Sequence, residues 1–323
     1  MTTAQPAVPG DGRSFTSFRA LGGADLHVHT THSDGACSPC EVVVAASRVG
    51  LRALAITDHD TVSALPIARV EAMRWGVELI AGVELTCVQE ADETVAQGPL
   101  KEPELHMLGY FIRDDDPDLL SQMKRLREGR KARIEVMAER LRELGFSIDL
   151  AVLRSAFPRA VLGRAHLAEY LTRTGQVGGR REVFTRYLGD NGPACCPKPR
   201  LEASAAIKLI VDAGGVAALA HPPFFLRRAV VERLVAAGMR AIEVDGPGFS
   251  NRMSRRIAFW AGEFNLVAVC GSDFHAPNGP GRWVGSIMTS AEQLERLRSC
   301  AKPLVHPLEP ALPPSVKLTD AVE

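Results

Sequence analysis

Seven times along this chain a short apolar run ends on or next to a polar or ionisable residue. The runs are Ala24 to His29, Arg52 to His59, Val77 to Glu84, Glu104 to Phe111, Gly215 to His221, Ala241 to Asp245 and Leu266 to Asp273. Each is short and mainly apolar, which reads as a buried strand. Helical spacing separates several of them, over Pro39 to Val49, Ala64 to Trp75, Ser204 to Ala213 and Val230 to Ala237. Alternating strand and helix predicts an α/β protein with a parallel sheet. In α/β barrels the functional side chains stand at the C-terminal strand ends. Most of the polar residues here fall at those ends.

One segment breaks the alternation. From Asp118 to about Ala194 no strand pattern occurs. Leu119 to Leu144 has helical spacing and meets Gly145 as a C-terminal cap. Ala165 to Leu171 and Glu182 to Leu188 read as two more helices. The expected organisation is an N-terminal tail (1–23), a first barrel part (24–117), an all-helical insertion acting as substrate cap (118–194), a second barrel part (195–300) and a C-terminal tail (301–323). Residues 116–194 carry fifteen Lys or Arg against ten Asp or Glu, while the whole chain is neutral. A basic cap over an acidic barrel suits an anionic substrate held against bound cations. Solvated helix faces account for at least half of those Arg residues.

Zero net charge argues against bulk nucleic-acid binding, although a local basic patch is compatible with it. No apolar run approaches the ~20 residues that span a bilayer. Met1 to Gly23 has no apolar core of the signal-peptide kind, so a cytoplasmic protein is expected. Seven cysteines, an odd number in a long chain, predict reduced, packed thiols rather than a disulfide framework.

Six of the nine histidines fall in or just after the strand-like runs. The candidate donors are His27 and His29 with Asp34, His59 in Thr57-Asp58-His59-Asp60, Glu84 in Gly82-Val83-Glu84, His106, His221 in Ala220-His221-Pro222, and Asp273 with His275 in Gly271-Ser272-Asp273-Phe274-His275. His27 and His29 lie two apart on a strand and so share a face. An isolated His-x-His is weak evidence, but the full set is not isolated. Imidazole and carboxylate without clustered thiolate favour Mn, Zn or Fe over a thiolate zinc site. Nine donors exceed what one ion with open positions needs and suffice for two or three. Cys37-Ser38-Pro39-Cys40 reads as a helix start, with Ser38 and Glu41 forming a capping box around Pro39. A thiol redox role is the minor alternative there.

In this order, from Asp25 to Arg282, the motifs resemble the PHP (polymerase and histidinol phosphatase) family of phosphoesterases. Arg130-x-x-Arg133, Gly163-Arg164-Ala165-His166 and Tyr187-Leu188-Gly189 are similar to the branch holding nucleoside 3′,5′-bisphosphate phosphatases and a 5′-to-3′ exoribonuclease. The resemblance implies a distorted (β/α)7 barrel with two or three divalent ions, Mn2+ first and Zn2+ or Fe2+ as options. It implies His27, His29, Glu84 and Asp273 on one ion, and Glu84 bridging to a second with His106 and His221. Asp34, His59 and His275 would hold the third.

The implied reaction is hydrolysis of a phosphate monoester by a hydroxide bridging two ions. Arg130, Arg133 and Arg164 would clamp a second phosphate through their planar donors. His166 would bind phosphate, protonate the leaving oxygen, or simply pack its helix. Lys198 would reach the phosphate or face water. Asp58 and Asp60 would orient His59 or neighbouring loops. The substrate would be a nucleoside bisphosphate or similar small molecule, with 5′ ends of short RNA or DNA as the alternative and a non-catalytic binding domain as a third reading. No membrane and no obligate protein partner is implied. The chain departs from the family pattern in the long gap between Glu84 and His106, in Val62-Ser63-Ala64, and in Ala276. These loops border the site and bear on substrate choice. His32 and His306 lack a partner pattern and read as surface residues.

Overall fold

The computed structural model describes residues 22–90, 104–158, 162–189, 192–196, 201–277 and 283–302. Seven strands form one sheet in chain order. They are β1 (Ala24–Val28), β2 (Ala53–Ile56), β3 (Glu78–Val88), β4 (Glu104–Tyr110), β5 (Val216–Leu219), β6 (Ala241–Asp245) and β7 (Val267–Cys270). All seven expected strands are present. Just past β7, Phe274 pairs with Val28, and the His29 amide donates to the Phe274 carbonyl at 2.9 Å. The sheet thereby nearly closes into a barrel. The helices are α1 (Pro39–Arg48), α2 (Leu65–Trp75), α3 (Pro117–Glu143), α4 (Leu150–Ala156), α5 (Arg164–Arg173), α6 (Arg180–Val183), α7 (Ala203–Asp212), α8 (Arg228–Ala236), α9 (Asn251–Glu263) and α10 (Ala291–Cys300). A π turn, Phe184–Leu188, continues α6.

The expected parallel sheet needs one correction, because β4 runs antiparallel to both β3 and β5. β4 runs back along β3, so that Val88 lies opposite Glu104. The reversal has a consequence for the site. The start of β4, not its end, shares a rim with the C-terminal ends of the parallel strands. Chain leaving β4 at the far rim climbs back through α3, whose 27 residues span about 40 Å at 1.5 Å per residue.

Two hydrophobic layers flank the sheet. Leu54, Ile56, Met107, Leu219 and Ile242 pack outward against helices through Val43, Ala68, Ile207, Val231 and Ile257. Alternate residues such as Ala53, Ala55, Leu108, Ala218 and Val269 face the other way, with Leu294 and Leu297 of α10. The small side chains fit the crowded inner face of a narrow barrel. α3 bridges two cores. Leu119, Met123 and Leu126 pack on the barrel, whereas Ile134, Met137 and Leu141 join Leu153, Leu167 and Leu171 in a separate cluster. The helical insertion thus has its own core.

α1 begins as the sequence predicts: Ser38 is the N-cap, Glu41 completes the capping box, and Pro39 sits at the first turn. Burial and the Glu41 carboxylate push the Cys37 thiol up, which opposes the lowered pKa a reactive thiol needs. All seven cysteines are free. Among the described residues no helix is long and apolar enough to cross a membrane.

Candidate metal centre

A bulge in β1 aims the first histidines. Asp25 pairs with Leu54 and Val28 with Ile56, so three steps on β1 match two on β2. Leu26 belongs to the inner layer and Val28 to the outer one. The parity switch between them turns His27 and His29 inward, as bulges commonly re-aim side chains at functional sites. Gly35 and Gly271 let the chain close on this pair. A Cβ on Gly271 would lie 2.3 Å from the His27 Cβ, and one on Gly35 would lie 2.6 Å from the His29 carbonyl.

Nine donors converge at this rim in three adjoining groups. In the first, His27 Nε2 and His29 Nε2 lie 3.1 Å apart. Each is 3.2–3.3 Å from Glu84 Oε2 and 3.4 Å from Asp273 Oδ1. In the second, Glu84 Oε1 lies 2.7 Å from His106 Nδ1 and 3.0 Å from His221 Nε2. In the third, Asp34 faces His275 Nε2 at 3.3 Å and His59 Nε2 at 3.9 Å, with His29 Nδ1 at 3.6 Å. Glu84 is fully buried and serves two groups at once. His221 and Asp273 hold positive φ angles of 23° and 48°. Such backbone strain is common where a side chain must reach a functional position.

Carboxylates outside the groups, all buried but Glu104, hold them in place. Asp58 accepts from the Thr30 amide, the Thr30 hydroxyl and the Ser33 hydroxyl at 2.5–2.7 Å. It therefore shapes the loop between His29 and Asp34 and makes no contact of this kind with His59. Asp60 accepts from the Thr86 amide at 2.9 Å and from Arg130 Nε at 2.8 Å. Asp25 accepts from the Ser272 amide and hydroxyl and from the Gly285 amide at 2.6–2.9 Å. Glu243 faces His27 Nδ1, and Glu104 faces His106 Nε2 at 2.8 Å. Sequence reasoning did not single out Glu243, Glu104 or Asp25. Their one signal was position, each being an acid inside a strand-like run.

The electrostatics are those of a cation site. Burial alone would lower the His29 pKa, yet Asp273, Glu84 and Asp34 raise it to about 10. Burial is likewise overcome at His106, where Glu84 and Glu104 raise the pKa to about 9. Conversely the histidines hold Glu84 and Asp34 well below the ordinary carboxylate range against the cost of burial. Asp34 Oδ1 and His59 Nδ1 are buried with no well-formed hydrogen bond; they approach only His275 Nε2 at 3.3 Å and Glu84 Oε2 at 3.2 Å. Buried polar atoms left in poor hydrogen-bond geometry amid other donors are what an ion would satisfy. Within each of three overlapping sets, His29–Asp34–His59–His275, His27–His29–Glu84 and His59–Glu84–His106, one ligand atom per residue lies within 4.8 Å of the others. The residues fit divalent ions.

At neutral pH the ion-free His29 and His106 are protonated, and each must lose a proton to ligate. Metal loading is therefore expected to release protons, and affinity to rise with pH towards 9–10. Titration calorimetry in buffers of different ionisation enthalpy measures this directly, and a buffer-independent heat would contradict it. By linkage, the same raised pKa values stabilise the ion-free fold fully below pH ~6.5. That contribution is lost as pH rises through about 9 and 10.

The insertion brings cations to the same rim. Arg130 is tied to Asp60 and to the Thr86 hydroxyl. Arg133 Nε donates to the Cys196 carbonyl at 2.7 Å. Arg164 Nη1 donates to the Leu188 carbonyl at 3.1 Å. Burial, then the Arg164 and Arg130 charges, lower the Arg133 pKa. His166 Nδ1 accepts from the Gly163 amide at 2.9 Å, and its ring meets Phe157 edge-on at 4.7 Å. Burial lowers its pKa and the Asp34 charge raises it. His166 is thus packed at its helix start and still within reach of the site's field. Lys198 and His306 lie outside the described residues. His32 is not a surface residue: it is 8% exposed, with Nδ1 2.7 Å from the Ser63 hydroxyl.

The family profile described as PHP domain matches residues 25–175. The chain is 35% identical over 274 residues to the 3′,5′-nucleoside bisphosphate phosphatase of Chromobacterium violaceum, covering 81% of this chain and 90% of that one. It is 33% identical over 270 residues to the 5′-3′ exoribonuclease of Haemophilus influenzae, covering 79% and 90%. A candidate metal-dependent phosphoesterase from Bifidobacterium adolescentis superposes with a TM-score of 0.77 at 26% identity, covering 87% of this chain and 97% of that one. Fold, donor set and relatives together define a metal-dependent phosphoesterase. The chain belongs to the PHP family.

Proposed function

We propose that this enzyme hydrolyses a phosphate monoester of a nucleoside 3′,5′-bisphosphate or a similar small bisphosphate. The observation that carries the reading is the juxtaposition of three His–carboxylate groups with Arg130 of the insertion, bound to Asp60 beside His59, the same insertion also carrying Arg133 and Arg164. One phosphate would lie against the ion-binding rim and the other against the arginines.

In this reading His27, His29, Glu84 and Asp273 hold one divalent ion, Glu84, His106 and His221 a second, and Asp34, His59 and His275 a third. Mn2+ is the first ion to test and Zn2+ or Fe2+ the next, because the donors are imidazole and carboxylate without thiolate. Bound ions supply acidified water and neutralise charge on the phosphoryl group. The chain does the rest. Arg133 and Arg164 bind and orient the second phosphate. Arg130 contributes mainly by fixing Asp60 and the β3 edge. His166, with Nδ1 engaged by Gly163, presents Nε2–H to a phosphate oxygen or to the leaving oxygen.

The test is to load the protein with Mn2+ and compare kcat/KM for adenosine 3′,5′-bisphosphate, a mononucleotide and a 5′-phosphorylated short RNA. Preference for the bisphosphate supports the proposal. Preference for the RNA supports 5′-3′ exonuclease activity instead, a second reading favoured by the Haemophilus influenzae relative. Arg164→Ala is expected to raise KM for the bisphosphate about 10- to 100-fold, the worth of a charged hydrogen bond, and to leave KM for p-nitrophenyl phosphate unchanged. Steady-state kinetics on both substrates decides this, and equal KM values for variant and wild type on the bisphosphate remove Arg164 from the site.

A further inference from the structure

We propose that Glu243 is a positioning residue that couples two of the three ion subsites, by fixing the His27 ring and the His221 backbone with its two carboxylate oxygens. The inference rests on the ion assignment above. Glu243 is 2% exposed and sits where β6 is irregular, between its pairings at Glu243 and Asp245. Its Oε1 lies 3.0 Å from His27 Nδ1, and its Oε2 accepts from the His221 amide. These two histidines belong to different groups. His27 Nε2 faces Glu84 Oε2 and Asp273, while His221 Nε2 faces Glu84 Oε1.

Each contact has a distinct effect. A carboxylate at Nδ1 holds the neutral His27 ring in the tautomer with the proton on Nδ1, leaving the Nε2 lone pair for an ion. The contact to the His221 amide holds that residue at φ 23°, a conformation a non-glycine residue adopts only when its surroundings enforce it. From there the His221 ring reaches Glu84. Among the described residues Glu243 touches none of Asp34, His59 and His275, so the third group does not depend on it directly.

Glu243→Gln separates these roles, because an amide has one acceptor oxygen for two N–H groups. Either His27 takes the opposite tautomer, with a proton on Nε2 where an ion would bind, or the His221 amide loses its acceptor. Mn2+ affinity, measured by calorimetry and by metal content after desalting, is expected to fall about 10- to 100-fold at two sites and to stay unchanged at the third. Glu243→Ala should do the same, and excess Mn2+ should restore turnover to Glu243→Gln. Wild-type affinity at every site in a folded Glu243→Gln protein overturns the coupling. Should the variant not fold, the wild-type protein still decides. Ring 15N shifts of Mg2+-loaded, histidine-labelled protein must show the His27 proton on Nδ1, and a proton on Nε2 overturns the inference. Wild-type protein that takes up no Mn2+ refutes the ion assignment itself, a result distinct from uptake unaffected by the substitution.

Discussion

Glu84→Gln is expected to lower kcat/KM by about 10^3-fold or more, the factor that several kcal/mol of metal-derived transition-state stabilisation represents. Glu84 faces the ring nitrogens of two groups with its two different oxygens. Oε2 stands among His27 and His29, and Oε1 between His106 and His221. The amide keeps the shape but removes the buried negative charge that opposes the histidines. Mn2+ content should fall at both groups, while the fold persists because the seven-stranded scaffold is built from other contacts. Turnover of p-nitrophenyl phosphate and metal content measured side by side settle the matter. Wild-type turnover in metal-replete buffer would remove Glu84 from the centre.

Arg130→Ala is expected to destabilise the protein by about 3–5 kcal/mol, the usual cost of orphaning one member of a buried ion pair. Asp60 is fully buried and Arg130 is 16% exposed. Asp60 holds a φ of 52°, and its main-chain carbonyl also accepts from Arg127 at 2.7 Å. Both arginines come from α3, so the loop after β2 and the insertion are fastened together at Asp60. Urea unfolding of ion-free protein measures the loss. A change below about 1 kcal/mol would show that the pair is solvated and that α3 docks through its apolar residues alone. The pair also explains a difference between the sequence reading and the structure. Arg130 and Arg133 share a helix face, which suggested equal roles on phosphate, but only folding brings Asp60 against Arg130.

The sequence by itself determined the seven strands and the long helix after β4. The reason is local. Apolar runs of strand length, the glycine after Leu144 and a polar residue at each run's end all act within a few residues. It also determined the start of α1, because a capping box is complete within four residues. Tertiary structure decided what depends on partners distant in the chain. The direction of β4 follows from its antiparallel pairing with β3 and β5, and the inward turn of His27 and His29 from a bulge against β2. The burial of His32 follows from a loop that meets Ser63. The roles of Asp25, Asp58, Asp60 and Glu243 follow from amides, hydroxyls and ring nitrogens up to 260 positions away. An acid in a strand reads alike from sequence whether it will face an ion, an arginine or a histidine ring, because only the closed barrel sets which of these it meets.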